Sequence, residues 1–230
     1  MNQWRRHFFY TKESVKTTWK LRVAALILVI LTVALTRGFW AVAIGRSLVC
    51  AEEELAPSDV ILLENFDPNY LVFERTAALQ KARLALRALV PVEASRERDV
   101  PNLVSRGIAQ LMARQARMGT WAMIPIREPE PISLNAASQI RDYLAREHVK
   151  SLILVTPGLR SRRSSLVYHA VLDGLGTQVY CAPVFGQTTP HHWIETWHGV
   201  QEVTLEFLKL QYYRFYVLPF YSRNGSGGAR

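Results

Sequence analysis

Two short stretches of this chain concentrate groups able to do chemistry, each where an apolar run gives way to helical spacing. Val155-Thr-Pro-Gly-Leu-Arg-Ser-Arg-Arg-Ser164 carries Thr156, Arg160, Arg162 and Arg163 out of a strand-like run and into a helix. A helix start offers free backbone N–H groups and the positive end of its dipole, and arginine offers bidentate bonds to phosphate or carboxylate. The expected chemistry is anion binding, with a phosphate-bearing ligand as the best use. The competing reading is a solvated helix start paired with surface carboxylates. In the second stretch, Glu128-Pro-Glu-Pro-Ile-Ser-Leu-Asn135, Glu128 closes an apolar run and Ser133 and Asn135 open the helix that follows. Glu128 and Asn135 can converge there on one pocket, with the carboxylate as its plausible base.

A third cluster, His191-His-Trp-Ile-Glu-Thr-Trp-His198, places His191, Glu195 and His198 at i, i+4 and i+7 on one expected helical face. The spacing suits metal ligands, but no further ligand is nominated, so capping and surface packing are the simpler reading and no metal is assigned. Neither Gly-x-Ser-x-Gly nor a phosphate-loop motif occurs, and no Gly-x-Gly-x-x-Gly follows the first strand. The identity of any cofactor is left open.

The elements that must position these groups alternate regularly. Strands are expected at Asp59–Leu63, Leu89–Val92, Trp121–Ile126, Ser151–Thr156 and Gln178–Ala182, all near-continuously apolar, as in a sheet covered on both faces. Helices are expected at Leu71–Ala88, Pro101–Met118, Ser133–Glu147, near Arg162–Leu172 and at Pro190–Tyr213. This alternation predicts a three-layer α/β domain with a doubly wound, mostly parallel sheet of about five strands. Ligands of such sheets bind beyond the carboxyl ends of the strands, so the residues just after each strand are the candidates: Glu64, Asn65 and Asp67, then Glu93 and Ser95, then Arg127 beside Glu128, and Gln187, Thr188, Thr189, His191 and His192 after the last.

The run from Val23 to Gly45, interrupted by Arg37 alone, is long enough at about 1.5 Å per residue to cross a hydrocarbon core of about 30 Å. Through Arg46 the chain carries eight Lys/Arg and one Glu; the remainder carries 20 Lys/Arg and 18 Asp/Glu. The formal charge of +9 is therefore mostly a topology signal and an attraction to anionic lipid, not a nucleic-acid face. The expected plan is a cytoplasmic basic tail (1–22), a transmembrane anchor (23–45), a linker (46–57), an extracytoplasmic α/β domain (58–215) and a flexible tail (216–230). Ala41-Val-Ala43 offers a cleavage alternative. Phe207–Tyr221, crowded with aromatics, reads as a core-packing helix with a frayed end or as a stretch resting on a bilayer. The two cysteines, Cys50 and Cys181, exclude a disulfide framework and leave one bridge open.

Several motifs, in order, resemble the YdcF-like, SanA-like and ElyC-like proteins (domain of unknown function 218). They are Ser58-Asp-Val-Ile-Leu-Leu63, Glu74-Arg75, Glu128 to Asn135, Leu154-Val-Thr156, Arg163, Gln178 to Pro183 and Trp197 to Tyr213. The resemblance implies a Rossmann-like domain at the outer face of an inner membrane, linked to envelope integrity, surface polysaccharide and lipid-carrier metabolism. It implies a pocket of Arg75, Glu128, Ser133, Asn135, Thr156 and Arg163. Where the family carries glycine pairs after strands one and two, this chain has Glu64-Asn65 and Glu93-Ala-Ser95, which alters or blocks that part of the pocket. Arg160 stands where the family usually has a histidine, so no proton-transfer role is inherited there. Two functions follow as expectations: binding or processing of a phosphorylated lipid-linked glycan, or a catalytically degenerate partner of envelope assembly proteins. A nucleotide or S-adenosylmethionine binder would rest on fold alone.

Overall fold

The computed structural model describes residues 18–51, 54–65, 69–95 and 100–225. The basic residues between Arg5 and Lys16, the acidic pair Glu52 and Glu53, and Asp67 lie outside them. The chain divides into two compact units, Met1–Trp40 and Ala41–Arg230.

In the first unit, α1 (Trp19–Leu35) starts at Thr18, whose hydroxyl accepts from the Leu21 N–H, and none of its side chains is buried. The helix stops at Thr36, which leaves helical geometry at φ −93° and ψ 6° before α2 (Arg37–Ser47) begins. Thr32 and Thr36 donate their hydroxyls back to the carbonyls of Leu28 and Thr32, at 2.8 and 2.7 Å. Such bonds bend helices. The single helix expected over Val23–Gly45 is thus a bent pair. Among the described residues no single helix is long and apolar enough to cross a membrane, although the pair together meets that measure by length and composition.

The second unit holds a five-stranded parallel sheet in the order β3-β2-β1-β4-β5. Its strands are β1 (Val60–Leu63), β2 (Arg87–Glu93), β3 (Thr120–Ile126), β4 (Ser151–Pro157) and β5 (Gln178–Val184). Alternate side chains leave opposite faces of a strand, and both faces are covered. Ile61, Leu63, Ile153 and Val155 pack under α3 (Tyr70–Lys81) and α4 (Leu103–Gln115), through Val72, Phe73, Ala109 and Ala113. Leu62, Leu89, Leu152 and Leu154 pack under α5 (Ile132–Arg146) and α6 (Ser161–Leu172), through Ala136, Ile140, Val167 and Val171. Burial on both sides is why the strands read as unbroken apolar runs.

Two helices end earlier than their spacing predicts, at Lys81 and Gln115 instead of Ala88 and Met118. Each chain reversal passes through a left-handed residue that is not glycine, Arg83 (φ 57°) and Arg117 (φ 54°), and His148 (φ 54°) does the same after α5. Leu84, Met118 and Val149 then bond back to Leu79, Ala113 and Leu144, closing the usual helix-end motif without its usual residue.

Pro190–Thr196 is not part of a helix. It forms a turn and a short 3-10 stretch (Trp193–Glu195), and α7 (Trp197–Tyr212) starts only at Thr196, whose hydroxyl accepts from the Gly199 N–H. A π-helical turn (Tyr213–Val217) and α8 (Leu218–Gly225) follow. The segment expected as a tail from residue 216 is therefore helical through Gly225, and Tyr213 and Val217 are buried in the core beside α5 and α6.

Residues 41–50, assigned from sequence to anchor and linker, are built into the domain. Ala41 is buried and accepts a 2.8 Å bond from the Trp193 indole. Gly45 lies so close to Pro190 that a Cβ would meet its backbone at 2.6 Å. Leu48 is 1% exposed, and Cys50 forms a disulfide with Cys181 of β5, 131 residues later.

Candidate functional site

Beyond the carboxyl ends of β3 and β4, the starts of α5 and α6 and the last turn of α7 enclose a cavity of about 440 Å³. Its lining includes Glu128, Ser133, Arg160 and Arg163, four of the seven residues nominated from sequence, together with Glu130, Ile132, Lys209, Tyr212 and Tyr213.

Arg163 is the pivot of this site and is 5% exposed. It donates to Glu206 Oε2 at 2.9 and 3.3 Å and to Ser133 Oγ at 2.6 Å, and lies 5.4 Å from the centre of the Tyr213 ring. The Tyr213 hydroxyl in turn accepts from the Ser133 N–H at 3.1 Å. Glu206 is itself buried, with Lys209 Nζ at 3.1 Å and Arg160 Nε at 3.9 Å from its other oxygen. Burial pushes the Glu206 carboxyl up, but Arg163, Arg160 and Lys209 outweigh it and hold the group below the usual carboxylate range. The charges balance: Arg160, Arg163 and Lys209 face Glu206 behind them and Glu128 and Glu130 at the rim.

The helix start expected to cradle an anion is covered by the chain itself. The Arg162 N–H donates to the Leu48 carbonyl at 2.9 Å, and the Ser161 hydroxyl accepts from the Cys50 N–H at 2.9 Å. Arg160 and Arg163 reach the cavity with their side chains, not in concert with a free first turn.

Between β1 and β4, where the strand order reverses and a doubly wound sheet usually opens, Glu64 fills the space. It is 1% exposed, and its carboxylate accepts from the hydroxyls of Thr156 and Ser164, the latter at 2.7 and 2.9 Å. The phenol of Tyr168, buried nearby, is pushed well above its ordinary value by burial and then by the Glu64 charge. Thr156 is thus a partner of Glu64 and not a wall of the cavity.

Two other nominated residues also lie elsewhere. Asn135 donates to the Pro129 carbonyl at 3.0 Å and fastens the loop that carries Glu128, without lining the cavity. Arg75 is exposed on α3, which covers the opposite face of the sheet. The histidine cluster is also dispersed. His191 meets Arg46 at 3.2 Å, His192 meets Glu195 at 2.9 Å, and the helix break at Thr196 removes the single face on which His191, Glu195 and His198 were expected.

Glu206, Lys209, Tyr212 and Tyr213 escaped sequence reasoning. Their spacing along an amphipathic helix and the turn after it carries no site signature, and they reach the site only because α7 packs on the turn after β4. No protein-family model matches the chain, and no curated protein matches it. The fold and the site define an α/β protein with a charged crevice at the carboxyl edge of its sheet.

Proposed function

We propose that this chain is a membrane-anchored protein of envelope biogenesis, a divergent YdcF-like member, whose extracytoplasmic domain binds or processes a phosphorylated lipid-linked glycan. The observation that carries the reading is the balanced crevice. Arg160 and Lys209 offer cationic donors to a phosphate, while Glu128 and Glu130 accept hydrogen bonds from hydroxyls such as those of a sugar. A bare anion would leave the two rim carboxylates opposed to it; a ligand with both groups uses all four. Topology is supported by the apolar chain ahead of Ala41, which reads as the anchor with its basic tail inside, and by the Cys50–Cys181 bridge, which suits an oxidising compartment.

The test is a titration of the full chain in lipid nanodiscs with a polyprenyl-phosphate-linked sugar and with its unphosphorylated alcohol. Arg160→Ala/Lys209→Ala is the variant of choice, because Arg163→Ala would strand buried Glu206 and unsettle the fold. At about 1.5–3 kcal/mol per charge-assisted bond, the variant should lose at least 10-fold in affinity for the phosphorylated ligand and none for the alcohol. Equal affinity of variant and wild type for the phosphorylated ligand would refute the reading.

A second reading, a catalytically degenerate partner of envelope assembly proteins, is favoured by the engagement of Arg163 with Glu206 and Ser133 and by the closed start of α6. Binding without turnover, unchanged in Glu128→Gln, would support it.

A further inference from the structure

Helix α7 carries two apolar faces. Gly199, Val203 and Leu210 pack inward, yet Trp197, Leu205, Leu208 and Tyr212 point outward at 73%, 47%, 60% and 49% exposure. With Gln201 they recur at each turn along the side opposite the buried one. The stripe continues across the π-helical turn, where the Tyr212 ring stacks on Tyr216 at 5.4 Å and Tyr216 meets Phe220 at 5.0 Å, with Phe215 exposed beside them. From Trp197 to Tyr221 the exposed charged side chains are Glu202, Lys209 and Arg214, and the Arg214 guanidinium lies 5.6 Å from the Phe215 ring centre.

We infer that this outer stripe lies in the headgroup region of a lipid bilayer, so that the crevice opens at the membrane surface. The inference rests on the membrane reading proposed above. Its composition is that of an interfacial helix, with aromatic and leucine side chains flanked by basic residues on long stems. Its position follows from the chain. The Trp193 indole, four residues before α7, holds Ala41, and Ala41 belongs to the apolar run that begins at Val23. Helix α7 then packs on the turn after β4, so its inner face covers the carboxyl edge of the sheet and its outer face points away from it. Tyr212 belongs both to the stripe and to the crevice lining, which sets the mouth of the crevice beside the lipid. An amphiphilic ligand could then enter with its tail still in the bilayer.

The two native cysteines are paired, so a single added thiol can be labelled selectively. The experiment places an environment-sensitive fluorophore at Leu208→Cys, or at Lys81→Cys as an exposed control on α3, in full chain reconstituted at one copy per nanodisc. At Leu208→Cys we expect blue-shifted emission, loss of intensity with nitroxide-bearing lipids and protection from aqueous iodide; at Lys81→Cys, the reverse. If the chain stays with the lipid but Leu208→Cys is quenched by iodide as strongly as the control, the inference fails while the anchor reading stands. Shielding that needs two copies per disc, with energy transfer between Leu208→Cys labels, would assign the stripe to self-association and also overturn it. A chain that does not stay with the lipid at all would remove the anchor reading and this one together.

Discussion

Breaking the bond between Cys50 and Cys181 should be the most damaging conservative change in the domain. The bridge closes a loop of 131 residues, and the chain-entropy relation assigns a loop of that length about 5 kcal/mol of constraint on the unfolded state. A domain of this size shifts in Tm by about 2–4 °C per kcal/mol, so Cys50→Ser/Cys181→Ser should melt about 10–20 °C below wild type. Both sulfurs are buried and the new hydroxyls would be poorly satisfied, so the alanine pair is the cleaner comparison. The assay is thermal unfolding of the full chain in detergent, oxidised and after reduction, with thiol counting to establish the bridge beforehand. Amide exchange at Arg162 gives a local readout, because its N–H is held by Leu48, two residues from the bridge. Unchanged Tm after complete reduction, or two free thiols in protein taken from an oxidising compartment, would refute the reasoning.

Glu206→Gln should cost about 3–5 kcal/mol in urea unfolding, because it leaves the Arg163 guanidinium buried without its charge partner. The same pair sets an acid limit. The folded Glu206 carboxyl sits below its ordinary value, so its contribution is complete above the unfolded pKa and is lost as pH falls through the folded one. Stability curves of wild type and Glu206→Gln should therefore converge on acidification, and parallel curves would contradict this. Arg83→Gly and Arg117→Gly should each raise Tm. Relief of about 1–2 kcal/mol of left-handed strain exceeds the added unfolded-state entropy of about 0.4–1 kcal/mol, and a lower Tm in both would contradict it.

The strands were legible because a sheet buried on both faces leaves no alternation to misread; all five fall within two residues of expectation. Helix ends were not. Arg83, Arg117 and His148 occupy positions where glycine would have announced a stop, so two of the helical patterns carry no stop signal in the sequence. That Glu128, Ser133, Arg160 and Arg163 gather at one cavity was legible because each follows a strand and a parallel sheet brings strand ends together. Glu206 and Lys209 lie on a helix whose docking depends on the whole strand order, so local spacing could not nominate them. Thr156 stands apart from that cavity because its hydroxyl is taken by Glu64, a pairing between two strand ends that no local spacing shows.

The closure of residues 41–50 onto β5 also has a consequence in time. This segment is among the first of the domain to be synthesised, yet its disulfide partner follows 131 residues later. At about 5–20 residues per second, Leu48 and the Cys50 thiol wait on the order of ten seconds for the surface that buries them. During that interval the nascent chain exposes an apolar side chain and a reactive sulfur that the finished protein conceals. Its vulnerability to aggregation and to mispairing is therefore greatest before β5 is made, and ends when the last strand of the sheet is in place.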